Sequence, residues 1–349
     1  MPEDVLSETS SVSSASPLSQ RPKLKPKAIS ERLSNRSPSP TRKQLFLLER
    51  ASPSIKIRQP GTDVPYMRGV VELRNALGKE IAFETLTPMA STSYLPMLST
   101  PHTQRPRRLN DYGRAFRTFK TQQGSASNGH KDENAWARVV WAVLELGIRE
   151  AQASRLEINS VQTQGIESSL LPTQISGSPF AKKADFVFGF SPDQTDVKAL
   201  YERWAIRHPG VSMSHMQDAY TSSLLLSYAI ELKEPSGDQS EASIQLAVYH
   251  TALLQKMRDL AQISGSTEPV PALLGWTVVG HEWNPHITSM LEDGNIICQG
   301  PFENLLAGTS SYRAIFSLLD LVKRSCKTLE DVVWPSLCRI LEPSTGNTT

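Results

Sequence analysis

The stretch Tyr228-Ala-Ile-Glu-Leu-Lys233 reads as the end of a strand that begins near Leu224. Side chains alternate across a strand, so Tyr228, Ile230 and Leu232 share one face. Ala229, Glu231 and Lys233 share the other. A carboxylate and an ammonium therefore stand two residues apart, pointing the same way, in an otherwise apolar strand. A metal site with an adjacent cation to handle a nucleophile needs this arrangement, and so does a simple ion pair on an edge strand.

The flanking segments follow the same logic. Upstream, Ala184-Asp-Phe-Val-Phe-Gly-Phe190 alternates and is β-rich. Phe186, Phe188 and Phe190 lie on one face and Asp185 on the other. Such an Asp either meets solvent at the strand's start or serves as a hard oxygen ligand on a rigid element. Downstream, Asp238 with Glu241 forms an N-terminal capping pair for a helix running to about 262. On it, Gln245 and Tyr249 are an i,i+4 pair. Ile244, Leu246, Val248, Leu253 and Leu254 surround them, so the helix is largely buried. Buried amide and phenol groups need partners, either structural or at the polar edge of the sheet.

Trp136, Val139, Val140, Val143 and Gly147 mark one face of a helix over 132–147. At 100° per residue, Glu133 falls about 60° from the centre of that stripe and Glu145 falls opposite it. Glu145 is thus expected in solvent and Glu133 toward the interior. A further helix is expected at 193–207, ended by Pro209-Gly210. Two strands, Leu273–Trp283 and His286–Leu291, are expected to join at Asn284-Pro285. Another strand lies near Ile296–Gln299, and one or two helices occupy 310–341. The alternation predicts an α/β fold with a central mixed sheet flanked by helices.

The first 130 residues differ in texture. They hold 20 Lys+Arg against 10 Asp+Glu, whereas the remainder holds 17 against 25. Residues 1–45, with 11 Ser and 6 Pro, are too poor in large apolar groups to offset their chain entropy and are expected to be a disordered basic arm. The arm carries Arg21-Pro-Lys-Leu-Lys-Pro-Lys27, which reads as a solvated linker or as a nuclear-import or nucleic-acid patch. Residues 46–129 are expected to be a partly ordered linker, with short helices near 45–50 and 66–78. No apolar run approaches the length that spans a bilayer. Met1-Pro-Glu-Asp4 lacks the basic and apolar regions of a signal peptide. Cys298, Cys326 and Cys338 show no CxxC spacing, which argues against a disulfide framework or a zinc site. An intracellular protein is expected, nuclear before cytoplasmic, with no membrane association.

Glu133 on a first helix, Asp185 on a strand, Glu231-x-Lys233 on the next main strand and Gln245-xxx-Tyr249 on the following helix together resemble the PD-(D/E)XK nuclease superfamily in its exonuclease-like branch. The text around them is similar to the fungal PD-(D/E)XK nuclease-like domain proteins. Asp132-Glu-Asn-Ala-Trp136 resembles their first-helix signature and Lys182-Lys-Ala-Asp-Phe186 their Asp strand. Val279-Gly-His-Glu-Trp283 resembles a later strand, and Val333-Trp334-Pro335 the C-terminal helix. The resemblance covers about 130–342 and implies a restriction-endonuclease-like domain there. Two departures stand out: Ala184 replaces the usual Pro, and the 46-residue gap between Asp185 and Glu231 implies an inserted helix and loop carrying Ser214-His215.

The resemblance further implies phosphodiester hydrolysis of nucleic acid, DNA before RNA. Asp185 and Glu231 would hold Mg2+ or Mn2+, with the Leu232 carbonyl as a further ligand and Glu133 acting directly or through water. Lys233 would orient the attacking water, and Gln245 and Tyr249 would position the backbone or the Lys–Glu pair. His215, His281 and His286 are expected to be structural rather than site residues. The rival expectation is a non-cleaving module that binds nucleic acid or protein, or a plain scaffold. The acidic balance of residues 131–349 favours it, since a DNA cleft is normally basic.

Overall fold

In a computed structural model of the protein, the residues described are 39–60, 68–78, 133–302 and 307–343. Their elements in chain order are α1 (Pro40–Leu48), β1 (Ile55–Arg58), α2 (Arg68–Gly78), α3 (Glu133–Ala151), β2 (Leu156–Ser160), β3 (Phe186–Phe190), α4 (Thr195–Arg207), β4 (Leu226–Lys233), α5 (Gln239–Ser264), β5 (Leu273–Val279), β6 (Glu282–Met290), β7 (Ile296–Gln299), α6 (Tyr312–Thr328) and α7 (Trp334–Leu341). A π-helical turn, Leu329–Val333, links the last two helices.

The strands form one seven-stranded sheet in the order β1-β7-β6-β5-β4-β3-β2. β1 runs parallel to β7 and β4 parallel to β5. The remaining neighbours are antiparallel, so the sheet is mixed. β4 lies between β3 and β5 and is buried from Leu226 to Leu232, as its unbroken apolar character requires. Helices cover both faces. α3 lies on the face carrying Phe186, whose ring meets Trp141 edge-on at 5.9 Å. α5 lies on the opposite face, where Gln239 donates to the hydroxyl of Thr277 on β5 and His250 approaches Gly275. Burial almost all round α5, at Ile244, Leu246, Val248, Leu253 and Leu254 among others, matches the pattern of its sequence.

Several boundaries differ from the sequence reading, each for a physical reason. α3 continues through Gly147 to Ala151 because that glycine is a contact surface. A Cβ there would run into the Val322 side chain of α6, so Val322 packs directly against the α3 backbone where the two helices meet. The β5–β6 turn falls at Gly280-His281, not at Asn284-Pro285, and Gly280 takes φ 54°. Pro285 sits within β6 opposite Trp276. Its missing N–H is tolerated because β7 pairs with β6 only from Ile287 onward. The sheet also extends ahead of residue 130: β1 is an edge strand, and α1 buries Leu48 completely. Residues 40–58 are therefore built into the fold. The rest of the arm and most of the linker, 1–38 and 79–132 included, lie outside the described residues.

Candidate active site

β3 and β4 are antiparallel neighbours that pair Phe186 with Ile230. Asp185 precedes the first of these and Glu231 follows the second, and their side chains open into one cavity of about 360 Å³. Lys233 lines it from the same face of β4, Gln245 from α5, Gln162 from the turn after β2, and Lys182 and Lys183 from the segment leading into β3. The alternation of two strands thus delivers the carboxylates, and the buried helix above them delivers the amide.

Asp185 is held at both oxygens. Oδ2 accepts the Leu232 backbone N–H at 2.6 Å, and Oδ1 accepts the Gln162 side-chain N–H at 3.0 Å. Burial pushes its pKa above the ordinary carboxyl value, while the Leu232 and Gln162 donors and the charge of Lys233 pull the other way. Lys233 Nζ lies 2.8 Å from Glu231 Oε1, and Glu231 is almost wholly buried. Lys182 reaches Glu241 at 3.5 Å. Among the described residues, the buried Oε1 of Gln245 has no hydrogen-bond partner. Two carboxylates and an amide side chain lining one cavity offer hard oxygens, which suits a small divalent cation that keeps several of its own waters. The described residues contain no group of three or more His, Cys, Asp and Glu side chains that would form a fuller cage.

The remaining sequence-derived candidates fall at different places. Glu133 is the first residue of α3, but its side chain lies outside the described residues. Glu145 is exposed, on the solvent side of α3. Tyr249 is one turn beyond Gln245 and does not line the cavity. It is fully buried, with its hydroxyl 3.7 Å from Met216 Sδ and its ring against His215 at 4.6 Å. Of the Gln245–Tyr249 pair, the cavity thus receives the amide and not the phenol. One turn of helix, about 5.4 Å, carries the phenol under the loop after α4.

The three histidines are likewise outside the cavity. His215 is buried beside Tyr249, His281 bonds to Thr309, and His286 bonds to Thr277. Gln162, Lys182 and Lys183 were not singled out as site residues from sequence. For the lysines the signal was present in their adjacency to Asp185. For Gln162 there was none, because its place depends on β2 pairing with β3 across 23 residues.

The chain matches no curated protein and no solved structure. Residues 89–334, which span every element of the site, match the sequence model of the PD-(D/E)XK nuclease superfamily. With Asp185 and the Glu231-x-Lys233 pair facing one cavity on adjacent strands, and with a match over more than half its length, the chain belongs to the PD-(D/E)XK nuclease superfamily.

Proposed function

We propose that the protein is a metal-dependent nuclease hydrolysing phosphodiester bonds, with DNA preferred to RNA. The observation that carries this reading is the convergence of Asp185, Glu231, Lys233 and Gln245 on one cavity. Asp185 and Glu231 would hold Mg2+ or Mn2+, joined by Gln245, and by Glu133 directly or through water. A divalent ion held there would lower the pKa of a water and offset charge on the scissile phosphate. Lys233, tethered by Glu231, donates hydrogen bonds to the attacking water and to the oxygens on which charge develops. Lys182 and Lys183 attract the phosphates on either side. Tyr249, buried against His215 and Met216, acts on the fold rather than on substrate. The basic segment Arg21–Lys27 favours a nuclear site of action.

Single- and double-stranded DNA and RNA incubated with Mg2+ or Mn2+ test the reading. Cleavage is expected, abolished by chelation and poorly supported by Ca2+. Lys233→Ala is expected to retain Mn2+ while losing about 10²–10³-fold in rate, and Asp185→Ala to lose both. Absence of cleavage together with absence of bound metal overturns the proposal. Metal binding without cleavage of any substrate supports the second reading, a non-cleaving module that binds nucleic acid or protein; the acidic balance of residues 131–349 favours its protein-binding form.

A further inference from the structure

Gln162 occupies an unusual position for a polar residue in a turn. Val161, fully buried, donates its backbone N–H to the Asp185 carbonyl at 2.9 Å, which extends the β2–β3 ladder by one step beyond Ser160 and Phe186. That anchor fixes the next residue beside Asp185. The Gln162 amide then donates to Oδ1 at 3.0 Å, while Leu232 N–H occupies Oδ2 at 2.6 Å. A carboxylate offers about four lone-pair positions. The protein takes one on each oxygen, so Asp185 is locked in orientation and about half of its acceptor capacity remains for a ligand.

We propose that Gln162 is a positioning residue that sets the metal-ion preference of the site, an inference resting on the reading of Asp185 as a metal ligand. Divalent cations differ in how many oxygens they demand. Ca2+ takes about six to eight at variable geometry, whereas Mg2+ and Mn2+ accept fewer protein oxygens and retain water. A carboxylate with both oxygens already engaged suits the second kind and handicaps the first. Removing the Gln162 donor frees an acceptor position and lets the carboxylate turn, and the ion with the larger oxygen demand gains more from this. A group that only supported the fold would weaken both ions alike.

Calorimetric titration of the full chain with Mn2+ alone and with Ca2+ alone, without nucleic acid, tests this. Wild type is expected to favour Mn2+. Gln162→Met, similar in length but with no N–H, is expected to move the Mn2+/Ca2+ affinity ratio toward Ca2+ by about tenfold, the lower end of the effect of partners that orient metal ligands. Gln162→Lys restores an N–H donor. It is expected to weaken both ions by its charge while returning the ratio most of the way to wild type. A ratio unchanged within about twofold in Gln162→Met overturns the inference, whether or not both affinities fall. Wild type binding neither ion overturns the metal reading beneath it, a result distinct from the first.

Discussion

Glu231 and Lys233 tie the stability of the fold to the charge of the candidate site at the level of single residues. Their ion pair spans 2.8 Å, with the carboxylate side chain 3% and the ammonium side chain 16% exposed. Removing one member of a buried pair leaves the other charge poorly solvated, at a cost of about 3–5 kcal/mol. Lys233→Ala is therefore expected to destabilise the metal-free protein by about 3 kcal/mol, toward the lower end because the ammonium is partly solvated. A divalent cation at Glu231 supplies replacement charge, so Mn2+ should raise the melting temperature of the variant more than that of wild type. Equal shifts in the two proteins would sink the idea that metal and ammonium neutralise the same carboxylate. The pair was legible in sequence, because the period of a strand alone sets Glu231 and Lys233 on one face. What sequence left open was whether the strand was central or an edge, and that depended on β3 and β5 pairing with β4 on either side.

Among the elements, α5 holds four buried polar or charged residues, and three buried histidines on or beside it set the response of the fold to acid. His250 of α5 bonds through Nδ1 to Thr288 at 2.8 Å. His286 of β6 bonds through Nε2 to Thr277 at 3.0 Å. His215, from the loop after α4, packs against Tyr249 of the same helix. Burial lowers the pKa of each to about 3. An unfolded histidine takes up its proton near pH 6.5, so these three stabilise the fold fully above that pH and progressively less as pH falls toward 3. Three protons taken up on unfolding correspond to a loss of about 4 kcal/mol per pH unit between pH 6 and 4. His215→Phe should reduce that slope by about 1.4 kcal/mol per unit, measured by denaturant unfolding at pH 7, 6 and 5. Its ring nitrogens have no partner among the described residues, so the substitution removes no described hydrogen bond. An unaltered slope would show that His215 is protonated in the native protein. The elements themselves were mostly legible, because α5, β3, β4 and β7 announce themselves by capping or periodicity. β1 and β2 did not, since each is four or five residues long with polar groups between the apolar ones, and only sheet pairing makes them strands.

At the scale of the whole molecule, charge is divided unevenly along the chain: residues 131–349 carry eight more acidic than basic groups, while the cavity itself faces three lysines and two carboxylates. A polyanion approaching this body meets a field that is favourable only locally. Long-range attraction must then come from the basic N-terminal third, where residues 21–36 hold six Lys+Arg and one Glu. The fold fixes where that contribution is separable. α1 begins at Pro40, Thr41 donates to Asp238 at the start of α5 at 2.9 Å, and Leu48 is fully buried. A truncation at residue 45 would therefore cut into the packed fold and confuse binding with stability, whereas removal of residues 1–38 leaves α1 whole. The expected effect of that removal is purely electrostatic. Affinity for DNA, measured with metal chelated so that nothing is cut, should fall by the same factor for unrelated sequences, because phosphate contacts carry no base information. The slope of log K against log salt should become shallower by about 0.9 for each phosphate the arm neutralises, up to about 5 if all six cations engage. Melting temperature should stay at the full-length value. A truncated protein with the same salt slope as the full chain would mean that nucleic acid is held by the sheet and its lysines alone.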